Sequence, residues 1–222
     1  MRDMTKQPFE IQTPAGRKRS QRYLDWVDHG ILRYRWHNFA TVAPQVYRSN
    51  HPTTPRFEAY AAMGITTIFS LRGGMHLPQY LFEVETCDRL GLKLECFKMN
   101  AREAPTVERL QMLFEVFDRI EKPFLMHCKS GADRTGLAAA LYLLVYEGAE
   151  LAAAKKQLSF DFVHIRRTSS GILDHFLDTY EARFKETAIT LRDWISVEYS
   201  AEALTASFAA KQKSLKLWQG WR

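Results

Sequence analysis

The 222-residue sequence has no long apolar run and few cysteines. Its longest apolar stretch, LAAALYLLVY at 137–146, is much shorter than the roughly 18 residues that a membrane-spanning helix needs. The charged and polar N-terminus lacks the apolar segment of a secretory signal. The three cysteines, Cys87, Cys96 and Cys128, form no CxxC pair and no Cys/His cluster typical of zinc sites. We therefore expect a cytoplasmic protein without disulfides or structural metal.

The sequence also lacks a basic stripe along its centre. Residues 1–40 hold eight Lys and Arg against four Asp and Glu, and residues 205–222 hold four against none. The part between them has 19 basic and 21 acidic residues, so the net charge of +6 comes from the two ends. Charge confined to the ends is typical of solvated tails, whereas a basic face on a folded domain indicates a nucleic-acid partner. We expect no nucleic-acid partner.

Strand and helix patterns alternate from about residue 41 onwards. Strands are predicted at 41–49, 65–71, 92–99 and 123–127, and helices at 55–64, 77–90 and 106–121. The remainder of the chain has only helical patterns. Helices between strands imply right-handed crossovers and mostly parallel pairing. The predicted fold class is therefore α/β, a single domain with a central, mostly parallel sheet flanked by helices.

The boundaries of the pattern predict three segments. Residues 1–40 form a basic N-terminal extension, residues 41–185 form the main domain, and residues 186–222 form a helical C-terminal extension packed on that domain. In the last segment, one helical face holds Leu191, Trp194, Ile195 and Tyr199. A second face holds Leu204, Phe208, Leu215 and Trp218 among lysines. We interpret this second face as docked on the domain rather than on a membrane surface.

The motif HCKSGADRTG, residues 127–136, lies between the last predicted strand and the first long helix. In open α/β sheets, ligands bind in such loops at the carboxyl ends of strands. Gly131 allows a tight curl in which successive N–H groups converge beside the positive end of the helix. The planar fork of Arg134 suits two phosphate oxygens. We define residues 128–134 as the phosphate loop, in which the predicted binding residues are Lys129, Ser130, Gly131, Ala132, Asp133 and Arg134.

The phosphate loop also explains the position of Cys128. A helix N-terminus and a nearby cation lower the pKa of a thiol, and the thiolate is the nucleophilic form. We expect Cys128 to attack phosphorus in line and form a phosphocysteine. Water then hydrolyses the phosphocysteine and releases phosphate. Thr135 is expected to hydrogen-bond the sulfur, His127 to support the loop from behind, and Gly136 to let the helix pack closely against the strand. Cys87 and Cys96 are interpreted as structural.

The residues His127, Cys128, Gly131, Arg134, Thr135 and Gly136 match the pattern HC-x2-G-x2-R-[ST]-G. This pattern resembles the signature of cysteine-dependent protein tyrosine and dual-specificity phosphatases. The segments VYRSNHP and GITTIFSLRGG are similar to the opening strands of the compact atypical branch found in bacteria, fungi and plants. The resemblance covers about residues 40–180. It implies a hydrolase that needs no metal or organic cofactor, with phosphotyrosine in proteins as the commonest substrate.

The family's general acid is usually an aspartate on a loop 25 to 40 residues before the cysteine. The matching loop here, KMNAREAPT, has no aspartate, although Glu103 lies in it. The alternative is Asp133, which is similar in position to an aspartate of the myotubularin lipid phosphatases and is preferred here. A third alternative is that no protein acid is needed, because some substrates, such as pyrophosphates, have good leaving groups.

The sequence is consistent with more than one substrate and more than one reaction class. Lys129 adds positive charge that suits inositol phosphates, inositol pyrophosphates or phosphoinositides, whereas Asp133 offsets it. Arg48, His51 and Arg72 lie at predicted strand ends, where they either line the entrance to the loop or have a structural role. A thiol-based arsenate reductase or sulfurtransferase and a non-catalytic phosphate-binding module are the other candidate classes. The sequence does not indicate an oligomeric state.

Overall fold

The computed structural model describes residues 8–219, with side chains described to residue 214. The helices are Pro14–Arg22 (α1), Thr54–Ala62 (α2), Pro78–Leu90 (α3), Val107–Arg119 (α4), Asp133–Tyr146 (α5), Leu151–Lys155 (α6), Ile172–Thr187 (α7), Leu191–Val197 (α8) and Ala201–Gln219 (α9). The strands are Ala40–Ala43 (β1), Val46–Ser49 (β2), Thr67–Ser70 (β3), Lys93–Cys96 (β4) and Phe124–His127 (β5). Within this part of the chain, no helix is both long enough and apolar enough to span a bilayer.

The five strands form one sheet in the order β1-β2-β5-β3-β4. Only the β1–β2 pair is antiparallel, which confirms the predicted α/β class with a mostly parallel sheet. All four residues of β3 and of β5 are buried, as expected for inner strands of a parallel sheet. Ser49 of β2 and Ser70 of β3 both pair with His127 of β5, so the carboxyl ends of these strands lie side by side.

The prediction of one strand over 41–49 is wrong, because this segment is a hairpin. β1 and β2 pair antiparallel, with Ala43 opposite Val46. The turn between them consists of Pro44 and Gln45, and Gln45 has a φ of 63°. Proline before a residue of positive φ is typical of a turn that reverses the chain.

The chain divides into two compact units, and the first comprises the residues up to Lys98 together with Glu121–Gly131. This unit contains the whole sheet with α1, α2 and α3. An apolar cluster of this unit lies between α2, α3 and the sheet and consists of Phe57, Tyr60, Ile65, Ile68, Cys87, Leu92 and Leu125. Burial raises the pKa of the Cys87 and Cys96 thiols to about 12, which makes both poor nucleophiles.

The second unit comprises Met99–Ile120 and the residues from Ala132 onwards, and it is helical. The predicted apolar face around α8 is confirmed as buried. In α9, Leu204 is buried, and Ser207 Oγ lies 2.8 Å from Nε2 of His175 on α7. The described part of the C-terminal extension therefore packs on α7. The side chains of Leu215 and Trp218 lie outside the described residues.

The expectation of a solvated N-terminal tail is wrong for residues 8–40, because several of their cations are paired. Arg17 contacts Glu85 of α3 at 2.6 Å, and Arg33 contacts Asp28 at 2.7 Å. The Arg33 side chain is only 4% exposed. A buried guanidinium needs a partner of opposite charge, and Asp28 provides it.

Candidate active site

The phosphate loop joins β5, which ends at His127, to α5, which begins at Asp133. This order of strand, loop and helix confirms the sequence prediction. Gly131 has a φ of 73°, in the left-handed region that favours glycine. A Cβ at this position would lie 2.6 Å from the carbonyl oxygen of Ser49 and 2.7 Å from the amide nitrogen of Asn50. The loop therefore passes too close to the end of β2 for any other residue.

Three successive carbonyl groups of the phosphate loop, all in the first unit, accept hydrogen bonds from other residues of that unit. Lys129 O accepts from the His51 amide at 3.3 Å, Ser130 O from Asn38 Nδ2 at 2.9 Å, and Gly131 O from Arg48 Nη2 at 2.5 Å. The C=O and N–H of a trans peptide point in opposite directions. The N–H groups that follow these carbonyls are therefore directed away from the three donors. N–H groups that lie together on the side of a loop away from such donors can form an anion-binding nest.

Arg48 is a buried cation that acts on the charge of Cys128, which agrees with the structural one of its two predicted roles. It is fully buried, and Cys128 is 1% exposed. Burial lowers the pKa of Arg48 to about 10, and the neighbouring Cys128 opposes that change. Arg48 is therefore still charged at neutral pH. Arg48 donates to the Gly131 carbonyl and interacts electrostatically with Cys128, so it supports the loop. A cation next to a thiol favours the thiolate.

His51 and His127 lie beneath the loop with Glu83 of α3. Nε2 of His127 is 2.5 Å from Oε1 of Glu83, and Nδ1 of His127 is 3.3 Å from the Cys128 carbonyl oxygen. Ser70 Oγ donates to the other oxygen of Glu83 at 3.2 Å. His51 is also buried, and burial together with the charge of Arg72 holds its pKa well below the ordinary value. Of its two predicted roles, His51 therefore has the structural one.

This group has the composition of a metal site. One ligand atom from each of His51, Glu83 and His127 lies within 4.8 Å of the others, and no other such group occurs among the described residues. The charges of Arg72 and Arg33 act on His51 and oppose a divalent cation there. The 2.5 Å contact between His127 and Glu83 is that of a short hydrogen bond. The group therefore fits a buried hydrogen-bond network better than a metal centre.

Asp28 of the N-terminal extension holds three cations near the loop. It accepts two hydrogen bonds from Arg72, at 2.7 and 3.1 Å, and it lies 2.7 Å from Arg33 and 3.5 Å from Lys129. Burial opposes ionisation, but the guanidiniums of Arg72 and Arg33 hold the pKa of Asp28 below its usual value. Burial in turn lowers the pKa of Lys129. Nothing in the sequence of residues 1–40 indicates that Asp28 and Arg33 belong to the site.

In the second unit, Asp133 is hydrogen-bonded to a histidine that the sequence analysis missed. Nδ1 of His164 lies 2.7 Å from Oδ1 of Asp133, and Nε2 lies 2.6 Å from Oδ2 of Asp174 on α7. The His164 side chain is 1% exposed. Burial alone would lower the pKa of His164, but its hydrogen bonds to the two carboxylates raise it to about 9. His164 is therefore an imidazolium at neutral pH.

The remaining predicted residues have distinct environments. Thr135 is buried, and its hydroxyl has no hydrogen-bond partner in the described part of the chain. A Cβ on Gly136 would lie 2.6 Å from the Gln157 carbonyl oxygen, so its close neighbour is the chain after α6 and not the predicted strand. Glu103 is exposed and accepts a hydrogen bond from Asn100 at 2.6 Å. Arg134 is half-buried in the first turn of α5.

Comparison with known proteins gives one family match. Residues 42–171 match the model described as "PTP-SAK: Swiss Army Knife protein, DSP-PTPase phosphatase domain". The dual specificity protein phosphatase TpbA of Pseudomonas aeruginosa (strain UCBPP-PA14) is 28% identical over 147 residues, which are 63% of this chain and 59% of TpbA. The matched part of the chain thus spans less than two thirds of the length of this curated relative.

Two solved structures are similar in fold. The crystal structure of P. aeruginosa TpbA covers 67% of this chain and 91% of its own, with a TM-score of 0.50 and 22% identity. The core catalytic domain of the PP-IP phosphatase SIW14 from S. cerevisiae, in complex with citrate, covers 69% and 93%, with a TM-score of 0.52 and 21% identity. At these identities the similarity shows a common fold.

Proposed function

The chain belongs to the PTP-SAK family of DSP-PTPase phosphatase domains, and from this premise we propose that it hydrolyses phosphate monoesters through a phosphocysteine intermediate. The proposed substrate is phosphotyrosine in proteins. The observation that supports the proposal is the set of three bonded carbonyls at Lys129, Ser130 and Gly131. The N–H groups that follow them are directed away from the three donors, as an anion-binding nest requires. The proposed location is the cytoplasm, where a reducing environment keeps a nucleophilic thiol active. None of the three cysteines, all within the described residues, is in a disulfide.

The proposed reaction has two steps. The Cys128 thiolate attacks phosphorus, the S–P bond forms, and the bond to the ester oxygen breaks. The loop N–H groups and Arg134 bind the oxygens whose charge is redistributed in the transition state. Water then attacks phosphorus, the S–P bond breaks, and phosphate leaves. Thr135 is proposed to hydrogen-bond the departing sulfur, because its hydroxyl has no other partner in the described part of the chain.

The charges near the loop favour a substrate with a single phosphate. Arg72 and Lys129 are the cations that a densely phosphorylated inositol would need, and both contact Asp28. Among the relatives, a TpbA variant has been crystallised with pTyr, whereas SIW14 is described as a PP-IP phosphatase. The neutralisation by Asp28 supports the first of these substrates for this chain.

Phosphate release tests the proposal. The wild type, Cys128→Ser and Cys96→Ser are compared on phosphotyrosine and phosphoserine peptides, inositol phosphates, an inositol pyrophosphate, phosphoinositides and p-nitrophenyl phosphate. Cys96 is the matched control, because burial makes its thiol a poor nucleophile. We expect release from phosphotyrosine peptides that is lost in Cys128→Ser and retained in Cys96→Ser.

Three outcomes contradict the proposal. Equal activity of the wild type and Cys128→Ser would remove the phosphocysteine. Phosphate binding without release from any substrate would indicate a non-catalytic module. Arsenate-dependent oxidation of Cys128 to a disulfide, without phosphatase activity, would indicate a reductase.

A further inference from the structure

Residues 26–34 have their Asp and Arg side chains buried and their apolar side chains exposed, and we call them the inverted segment. Asp28 is 7% and Arg33 is 4% exposed, whereas five large side chains reach solvent. The exposed fractions are 59% for Trp26, 39% for Val27, 43% for Ile31, 64% for Leu32 and 53% for Tyr34. These residues lie on two short helical turns that contact each other, Tyr23–Val27 and Gly30–Tyr34. One exposed apolar side chain is ordinary, but a group of them marks an interaction site.

The inverted segment is held on the first unit by buried hydrogen bonds. Asp28 accepts two hydrogen bonds from Arg72 and contacts Arg33. Arg56 of α2 donates to the carbonyl oxygens of Arg33 and, at 3.2 Å, of Trp36. Arg56 is itself only 7% exposed. A surface fixed in this way loses little conformational entropy when a partner binds to it.

A cavity of about 250 Å³ is lined by α1, the inverted segment, α2 and α3. Its apolar lining consists of Leu24, Tyr34, Pro52, Pro55, Phe57 and Phe82. Its charged lining residues all have partners within the first unit, and they are Arg17, Asp25, Arg33 and Glu83. The cavity therefore suits a neutral group. An apolar cavity of about 150 Å³ is already large enough for a benzene ring, so one aromatic or branched side chain fits here.

The inverted segment is next to the phosphate loop within the first unit. Asp28 Oδ1 lies 3.5 Å from Nζ of Lys129, which follows Cys128 in the loop. Trp26 and Ile31 are within three positions of Asp28, so their Cα atoms lie within about 11 Å of its Cα atom. An extended polypeptide covers about 17 Å with five residues. A substrate whose phosphotyrosine is bound in the loop therefore has residues within reach of the inverted segment.

We propose that the inverted segment docks the polypeptide chain of the substrate, and that the cavity receives an apolar side chain of that chain. This inference rests on the proposed phosphatase function and deepens it, because it adds recognition of the protein to recognition of the phosphate. The substrate class that follows is a phosphotyrosine with an aromatic or branched apolar residue within about five positions of it.

The composition of the surface favours a protein partner over a lipid surface. Trp, Tyr and Arg are enriched in protein interfaces and at their hot spots, whereas Lys, Glu and Asp are depleted. Residues 22–37 contain two Trp, two Tyr and three Arg, but no Lys. Recognition of anionic lipids uses clusters of about four to eight Lys and Arg. Here Arg33 is buried, which leaves Arg22 and Arg35 as the exposed cations of this stretch.

Peptide kinetics test the inference. Three substrates are compared: a phosphotyrosine peptide with Leu and Phe within five positions of the phosphotyrosine, the same peptide with Ser at those positions, and p-nitrophenyl phosphate. In the wild type, kcat/KM should be at least tenfold higher for the apolar peptide than for the Ser peptide. Trp26→Ser and Leu32→Ser should each lower the ratio of kcat/KM for the apolar peptide to that for p-nitrophenyl phosphate by about tenfold, as expected for interface hot spots. The loss should come mainly from a higher KM, because the contact is made equally in the bound substrate and the transition state.

Met63→Ser is the matched control, because it also replaces an exposed apolar side chain by serine. Met63 is 52% exposed and lies in the first unit, before the amino end of β3. The phosphate loop follows the carboxyl end of β5, which is parallel to β3, so the two sites lie at opposite edges of the sheet. The ratio for Met63→Ser should equal that of the wild type. Thermal melts establish that all variants are folded.

Each contrary result has its own meaning. If the wild type hydrolyses the apolar and Ser peptides with equal kcat/KM, and Cys128→Ser releases nothing, the phosphatase function stands and the docking inference is wrong. The inference is also wrong if Trp26→Ser and Leu32→Ser keep the ratio of the wild type. Loss of sedimentation with vesicles of phosphatidylserine and phosphatidylcholine in these variants would then indicate a membrane surface, and a change from dimer to monomer would indicate a second copy of the chain. No release from any of the three substrates would overturn the proposed function and the docking inference with it.

Discussion

His164 gives the free energy of unfolding a pH dependence whose sign and size follow from its contacts. Burial disfavours its charge, but the hydrogen bonds to Asp133 and Asp174 raise its pKa from 6.5 to about 9. Because the pKa is higher in the folded protein, the folded state binds the proton more tightly. The resulting stabilisation is complete below pH 6.5 and is lost as the pH rises through 9. At 1.36 kcal/mol per pKa unit, the shift corresponds to roughly 3 kcal/mol.

Urea unfolding of the wild type and His164→Gln at pH 6 and pH 9.5 measures this contribution. The wild type should exceed the variant in free energy of unfolding by roughly 3 kcal/mol more at pH 6 than at pH 9.5. Taking the difference between the proteins cancels groups that titrate in both. His76→Gln, at an exposed histidine, is the control for the removal of an imidazole. If the difference in free energy of unfolding between the wild type and His164→Gln is the same at the two pH values, His164 is not held as an imidazolium in the folded protein.

Three substitutions test the local geometry. Gly131→Ala places a Cβ 2.6 Å from the Ser49 carbonyl oxygen, at a residue with a φ of 73°. It should displace the phosphate loop and lower kcat/KM at least tenfold, and unchanged kinetics would contradict this. Gly136→Ala should lower Tm, because the added Cβ would lie 2.6 Å from the Gln157 carbonyl oxygen. Such overpacking destabilises the fold by about 1–3 kcal/mol, whereas the gain in helix propensity stabilises it by only roughly 1 kcal/mol. Arg48→Met should move the midpoint of Cys128 alkylation by iodoacetamide to higher pH; an unmoved midpoint would remove Arg48 as its electrostatic partner.

The elements that the sequence predicts well are those with local signals. Helix α3 was predicted to within one residue, because Pro78 occupies its first position and Gly91 ends it in a left-handed conformation with a φ of 68°. The hairpin at Pro44 and Gln45 was missed, because its turn signal is two residues long and lies inside an otherwise continuous apolar pattern. The strand ends were overestimated by one to three residues, as in 92–99 for Lys93–Cys96.

The candidate site likewise contains residues that are consecutive in the sequence and residues that are distant in it. The phosphate loop was predicted because its residues are consecutive, so their spacing alone places them on one strand-to-helix connection. Its supporting groups come from elsewhere: Asn38 and Arg48 lie more than 80 positions from the carbonyls they bind, and His164 lies 31 positions after Asp133. A single sequence contains no record of such pairs. The fold brings them together, so they could be found only in the structure.

Charge shows why position in space matters more than position in the sequence. Counted along the chain, Arg33 belongs to a basic tail, Arg72 lies at a predicted strand end, and Lys129 adds positive charge to the loop. The sequence therefore predicted a solvated end and left phosphorylated inositols as an alternative to phosphotyrosine. In the structure all three cations contact Asp28, whose side chain is only 9% exposed. A ligand with several phosphates would have to compete with this buried carboxylate for the same cations. This competition is the reason for proposing a substrate with a single phosphate, which would bind through the loop N–H groups and Arg134.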